Sequence, residues 1–496
     1  MRKNVVKSLA LLLTLASLTS VFAACQKKTG EPGAGTPGTT AKEPQKPDKI
    51  KAFVDTFMVK EQGHDQLIEE YKKQTGITLE ITQPAHNQYY DVLNVTFASG
   101  DIPDVVEIAE QNYLKYATQG GLADLTQQVK NSKVLQAVEP AYMDALKVSG
   151  KQYGVPLQTG GGCVTYIRQD WLDNLGLKVP TTYDELYNVM KAFTFNDPDK
   201  NGKNDTIGYT SVLVAEGKLQ EQYLRDFYWD SSPDFVLKDG KWVDGFSQPE
   251  YMEGLLRVKK AYQDKILDQE LFTNQTSTAR DKFTASKVGI FPYWNNYWAS
   301  RLEDTTKQSS APNAKLVAIP AIKESYYLNR APVATAITSK SKNVDGVFKW
   351  FVEYMHDGGP GQTLFSYGVE NVHWQKKDNK VEALPILNNP KQKFDKVWFS
   401  ADNTVTPYTN GPLIPLDPRI TQAIDAFKGN FKQVKIFPAS DTYTKVSSDL
   451  YKLRQEVASK IIIGELTPEQ GMARYNTDAK KIGVDKILTE FNSAAQ

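Results

Sequence analysis

The chain has 496 residues, with 59 basic and 58 acidic side chains and a formal net charge of +1. So even a balance argues against nucleic acid or an anionic surface as the main partner, because both select a strong cationic excess. A chain of this length predicts two or more lobes or domains around a large apolar core.

Residues 1–24 must be set aside before any fold is read. Arg2, Lys3 and Lys7 form a basic start, an apolar run leads to Phe22, and Ala23 and Ala24 precede Cys25. This is the composition of a secretory signal, too short for a comfortable membrane span. A cysteine directly after small residues is the bacterial lipoprotein pattern, with Cys25 as the acylated new N-terminus. Phe22 stands where the usual lipobox has Leu, and the alternative is an ordinary signal peptide with an incidental cysteine. Removing this stretch leaves 56 basic and 58 acidic residues, a net charge of −2, and acylation of Cys25 leaves Cys163 as the only thiol. No intrachain disulfide is then expected.

Residues 25–49 are rich in Gly, Pro, Thr and Lys and predict a flexible tether. Gly33, Gly35 and Gly38 spell a dinucleotide-loop pattern, but no strand precedes them and no helix follows, so the motif lacks its context.

From residue 50 the patterning alternates. A short apolar strand at 50–55 is followed by a helix at 65–74, with Leu67, Ile68 and Tyr71 on one face and Gly76 at the C-cap position. A strand at 77–81, a helix at 87–99 ending before Gly100, and a strand at 102–108 complete the signature of a parallel α/β sheet, which binds ligands at the carboxyl ends of its strands. Residues 151–156 and 164–167 read as extended, and 170–175 as a short helix closed by Gly176. A helix over 183–193 opens on a Thr182–Glu185 capping box. Later come a strand at 288–291, expected to end at Pro292, a helix at 345–355, and a helical region from 445 to 491.

Residues 197–205 carry the most specific local pattern. Asp197, Asp199, Asn201 and Asp205 offer side-chain oxygens at positions 1, 3, 5 and 9, Gly202 allows a sharp turn, and Lys203 would supply a backbone carbonyl. Hard Ca²⁺ takes six to eight oxygens, and this spacing folds them round one point. Gly208 replaces the bidentate Glu of an EF-hand at position 12, so other ligands or water would be needed. The alternative is a solvated polar turn.

Catalytic signatures are sparse. The four histidines are His64, His86, His356 and His373, and no zinc-protease, nucleophile-elbow or P-loop motif occurs. Aromatic residues make up 11% of the chain, and several sit beside amides and acids. Tyr293, Trp294, Asn295 and Trp298 directly follow an apolar strand; Glu370 with Trp374, Asn112, Tyr89 and Trp229 repeat the chemistry. Sugars present apolar faces rimmed by hydroxyls, which flat rings beside amides and carboxylates match. These nine residues are the ligand-binding candidates, with Trp294 foremost; the competing reading of any one ring is core packing.

The segments Gly150-Lys-Gln-Tyr153-Gly154-Val-Pro156, Tyr166-Ile-Arg168-Gln-Asp170-Trp171 and Pro180-Thr-Thr182-Tyr-Asp-Glu185 resemble the family 1 extracellular solute-binding proteins, the maltose-binding-protein-like receptors of ABC importers. So do Ala98-Ser-Gly100-Asp-Ile-Pro-Asp104, the run from Lys287 to Phe291 and Tyr367-Gly-Val-Glu370, and the similarity runs over nearly the whole mature chain. The nearest subgroup is the large Gram-positive lipoproteins related to LplA and the alginate-binding receptors. The resemblance implies an α/β, type II periplasmic-binding-protein-like fold, its two discontinuous lobes joined by a hinge. The expected partition is 50–157 with 327–375 and 158–326 with 376–496. It also implies a tryptophan-bearing segment after the strand at 288–291, where Trp294 and Trp298 fall, and a Ca²⁺ loop after the helix at 183–193, though Thr206 stands where the alginate-binding branch has an acid.

The expected function is a non-enzymatic, lipid-anchored receptor on the outer face of the cell membrane. It would pass a carbohydrate to ABC permease subunits, as a monomer. An oligosaccharide leads among ligands, ahead of uronate-containing glycans, amino sugars and peptides. The rivals are a surface-anchored carbohydrate-active enzyme, which needs a positioned acid and base, and a ligand sensor for a signalling partner.

Overall fold

The computed structural model describes residues 43–55, 58–85, 88–157, 160–215, 217–377, 380–387 and 417–494. Cys25, the signal segment and most of the expected tether lie outside them. No helix among the described residues is long and apolar enough to cross a membrane.

The first lobe forms as the alternation predicts. Strands Lys49–Phe53, Thr78–Thr82 and Val105–Ile108 pair in parallel, with helices His64–Thr75 and Tyr89–Ser99 between them. Gly76 closes the first helix in the left-handed region, its N–H reaching the Lys72 carbonyl at 2.7 Å. The sheet runs Thr78–Thr82, Lys49–Phe53, Val105–Ile108, Ala334–Ile337, Val155–Pro156, the last two being brought in from much later chain and from the exit of the lobe. Ile50, Leu67, Tyr71, Val105 and Phe351 are fully buried in its core.

The tether expected through residue 49 ends earlier. Lys49 already belongs to the strand. Lys46 donates to the Thr75 carbonyl at 2.9 Å and lies 4.2 Å from the Trp350 ring, while Asn343 donates to the Gln45 carbonyl.

The second lobe has a four-stranded sheet in the order Leu316–Ile319, Cys163–Arg168, Val288–Trp294, Ile207–Tyr209. Every residue of its inner strand Cys163–Arg168 is buried. Helix Tyr183–Phe195 starts on the expected capping box. The C-terminal helices Asp441–Ile463, Pro468–Ile482 and Val484–Ala494 pack Val457, Ile461, Tyr475 and Phe491 into the same core as Trp171 and Phe193.

Two details depart from the sequence reading. The strand expected to stop at Pro292 continues to Trp294. Pro292 is opposite Thr165, whose N–H goes to the Tyr327 hydroxyl at 3.1 Å, so this pair needs no donor from proline; the partner strand on the other side has ended at Tyr209. Packing also differs at the edges of the expected lobe segments. Leu384 donates to the His373 carbonyl and Ile386 packs on the first lobe's core, whereas Tyr327 packs with Val164, Tyr166 and Phe427 of the second.

The chain leaves the first lobe after Leu157 and returns through residues 329–333. These passages lie side by side: Leu157 N–H meets the Val333 carbonyl at 2.8 Å and Arg330 N–H the Gly161 carbonyl at 3.0 Å. The approach is close enough that a Cβ on Gly162 would stand 2.0 Å from the Leu328 carbonyl oxygen.

Candidate ligand cleft

A cleft of 1810 Å³ opens between the two sheets at the hinge. That exceeds the 300–1,000 Å³ of an ordinary small-molecule site. The first lobe lines it with Tyr89, Tyr90, Glu110 and Asn112, and the second with Trp229, Tyr293, Trp294 and Trp298.

Trp294 is the last residue of its strand, and its carbonyl accepts from the Tyr166 hydroxyl at 2.7 Å. This fixes the backbone while the half-buried indole faces the opening, with the Arg330 guanidinium 5.3 Å from its centroid. Tyr293 is buried, stacked on Phe291 at 4.9 Å and edge-on to Trp298 at 4.8 Å. Trp298 opens helix Trp298–Ser309.

Trp229 follows the short helix Arg225–Tyr228 with φ 53° and ψ −117°, a backbone state L residues avoid. The Arg257 guanidinium covers its ring at 3.5 Å, and its indole N–H is buried without a partner among the described residues. Strain and an unspent donor on one cleft-lining ring mark the position as shaped for more than packing.

Six of the nine ligand candidates therefore come together: Tyr89, Asn112, Trp229, Tyr293, Trp294 and Trp298. Tyr89 contributes as wall, since it is buried and its hydroxyl is already bonded to the Phe53 and Glu107 carbonyls. Asn295, Glu370 and Trp374 do not line the cleft. Asn295 is buried against the hinge, its N–H on the Gly162 carbonyl. Trp374 is buried in the first lobe with its indole N–H on the Gly368 carbonyl at 3.0 Å, and Glu370 is exposed on the preceding loop. Aromatic-amide runs look alike in sequence, and only packing separates these.

Charged residues were missed altogether. Glu110, at φ 51°, pairs with Arg330 across the hinge; burial works to raise its carboxyl, and the guanidinium outweighs that and holds it below the usual range. Glu221 is pushed up by burial, with Arg225 opposing. Arg257, Arg280 and Arg301 also line the wall. Each lies on a helix whose sequence shows only an amphipathic pattern, so no local signal marks them.

The loop at 197–205 lies in the second lobe, and its residues are not among those lining the cleft. Asn201 donates its amide to Asp199 at 2.9 Å and Asp205 at 3.2 Å, and backbone N–H groups of Asn201 and Gly202 bind Asp197. Burial, then the neighbouring Asp197 carboxyl, raises Asp199, as expected where acids converge. Lys287 meets Asp205 at 2.7 Å, and the Lys203 N–H is bonded to Asn201. Among the described residues no group of three or more His, Cys, Asp or Glu is placed to hold a metal ion. The acids thus share donors in the pattern a cation would replace, but the expected ligand shell is not assembled.

The sequence profile of the bacterial extracellular solute-binding proteins matches residues 59–356, more than half of the chain. The chain belongs to this family. This solute-binding protein is 23% identical over 445 residues to the lipoprotein LipO of Bacillus subtilis, covering 86% of the chain and 88% of the relative. It is 26% identical over 516 residues to the polygalacturonan/rhamnogalacturonan-binding protein YtcQ of the same organism, covering 98% and 97%. Its fold matches the alginate-binding protein AlgQ2 crystallised without calcium ion, at TM-score 0.66 and 19% identity over 92% of this chain and all of the other. It also matches an EF-hand mutant of the substrate-binding protein FusA of S. pneumoniae in complex with fructo-nystose, at TM-score 0.66 and 17% identity over 90% and 98%. The two-lobed α/β architecture and the family resemblance read from the motifs both stand.

Proposed function

We propose that this chain is the substrate-binding lipoprotein of an ABC importer, capturing an oligosaccharide between its lobes and handing it to the membrane permease. The observation that carries the reading is the cleft itself: four tryptophans, Trp229, Trp242, Trp294 and Trp298, line a space larger than a small-molecule pocket, beside a crossover whose described passages lie side by side. A sugar chain suits several flat aromatic rings in one opening, and an extended crossover can bend without breaking either core. Carbohydrate-binding relatives such as YtcQ and FusA support the ligand class.

The working cycle is capture by closure, without bond making. Acylated Cys25 would hold the protein at the outer face of the membrane, and the residues after it would give the receptor reach. Ca²⁺ at Asp197, Asp199, Asn201, the Lys203 carbonyl and Asp205 would replace the present Asn201 and Lys287 contacts and brace the second lobe, away from the cleft.

The deciding experiment is a thermal-shift screen against an oligosaccharide library, with each hit recovered and its mass measured. A true ligand at a hundred times its Kd adds about 2.7 kcal/mol of stability and returns unaltered. Stabilisation by no carbohydrate would overturn the receptor reading, and cleaved products would favour an enzyme.

A further inference from the structure

Two aromatic stations in the cleft are joined by one extended run of chain. At the first, Trp294 ends its strand with the Arg330 guanidinium 5.3 Å from its ring centroid. At the second, Trp229 is clamped by the Arg257 guanidinium at 3.5 Å and by the Tyr183 ring, nearly perpendicular to it at 5.7 Å. Both indoles line the same opening.

Residues 326–330 run from one station to the other. Strand Tyr327–Asn329 pairs with Phe431–Gln433, and its alternation turns Tyr327 and Asn329 into the protein, where both are buried. Tyr326, Leu328 and Arg330 fall on the opposite face and line the cleft. Tyr326 belongs to the Trp229 end: its hydroxyl donates at 2.8 Å to Asp230, the residue after Trp229, and Lys432 meets the same carboxylate at 2.7 Å. Glu324, which also lines the cleft, accepts the N–H of Tyr183 at 3.0 Å. Arg330 belongs to the Trp294 end. At about 3.3 Å per residue, the run from Tyr326 to Arg330 covers about 13 Å. A single sugar ring is shorter than that. Trp294 and Tyr327 pack in the second lobe, and Trp229 follows Phe227 and Tyr228 of its core, so the spacing does not depend on how the lobes close.

We infer that the two stations bind one glycan chain together, laid along strand Tyr327–Asn329, so that the receptor selects its ligand by length. This rests on the oligosaccharide-receptor reading and sharpens it. A ring stacked on one station presents the rest of its chain to the other at high effective concentration, and the second contact adds affinity without a second cost of association. Leu328 keeps the floor between them apolar, which suits the ring faces of the intervening sugars. A monosaccharide engages one station and forgoes the gain.

The test is calorimetric titration with size-graded ladders of maltodextrin, fructan and galacturonan, each from the monosaccharide to the hexasaccharide. In at least one ladder the Kd should fall roughly 30-fold or more between the shortest fragment that binds and the length that reaches both stations, then level off. Trp229→Leu and Trp294→Ala should each abolish that gain, so that long and short fragments bind the variant alike. Melting temperatures near wild type would show that the variants fold. Affinity that is flat with length overturns the two-station reading on the wild-type protein alone, while leaving the carbohydrate receptor standing. A gain that survives Trp229→Leu puts the second contact elsewhere and overturns it too. Binding of no member of any ladder overturns the receptor reading along with it.

Discussion

Replacing Trp294 by alanine probes the cleft at its most informative point. The indole is half-buried, sits at the end of a strand, and is bordered by the Arg330 guanidinium at 5.3 Å. A fully covered aromatic side chain buries about 150–250 Å². A sugar ring covers one face, about half of that, which at ~25 cal/mol/Å² is worth about 2–3 kcal/mol. Trp294→Ala should therefore raise the Kd for the cognate oligosaccharide by roughly 30- to 150-fold. The fold should lose little, about 1 kcal/mol for the guanidinium contact, because the backbone here is held by the Tyr166 hydroxyl and by strand pairing. Calorimetric titration reads the affinity and urea unfolding the stability. Glu370→Ala is the control, since Glu370 is exposed and does not line the cleft; its Kd should stay within about twofold of wild type. An unchanged Kd for Trp294→Ala, or a large effect of Glu370→Ala, would refute the assignment of this wall.

If residues 197–205 hold Ca²⁺, chelation should lower the melting temperature by several degrees, and Asp199→Ala should remove that sensitivity; an EDTA-indifferent wild type makes the loop a polar turn. Burial depresses His356 from its ordinary 6.5 to about 3. Below pH 6.5 the unfolded chain then takes up a proton that the native one refuses, so stability falls with pH at about 1.4 kcal/mol per unit. His356→Gln should flatten the urea-unfolding profile by about 2 kcal/mol between pH 6.5 and 5, and an unaltered slope would count against burial as the cause. Gly162→Ala places a methyl against the Leu328 carbonyl and should cost about 1–3 kcal/mol; unfolding at the wild-type urea concentration would show that the crossover yields freely. Mass spectrometry of membrane-extracted protein should find an acylated peptide starting at Cys25.

Features that depend on neighbours along the chain are legible in the order of the amino acids. Alternating polarity placed the first three strands, Gly76 and the Thr182–Glu185 box marked a helix end and a helix start, and the motifs in their order identified the family. These are short-range consequences of backbone geometry and capping, so a single chain suffices to read them. Only the packing of distant segments settles which rings line the cleft and which are core. Trp294 and Trp374 have similar neighbours in sequence, yet one faces the cleft and the other spends its N–H on Gly368 inside the first lobe. It also decided the run of the strand through Pro292, tolerated because the facing Thr165 bonds elsewhere, and the docking of Gln45 and Lys46. Above all it gathered Glu110, Arg280, Arg301 and Arg330 from four separate segments around one opening. Charge has no periodicity that announces such a meeting; it arises only when two lobes, each completed by distant chain, fold against a shared hinge.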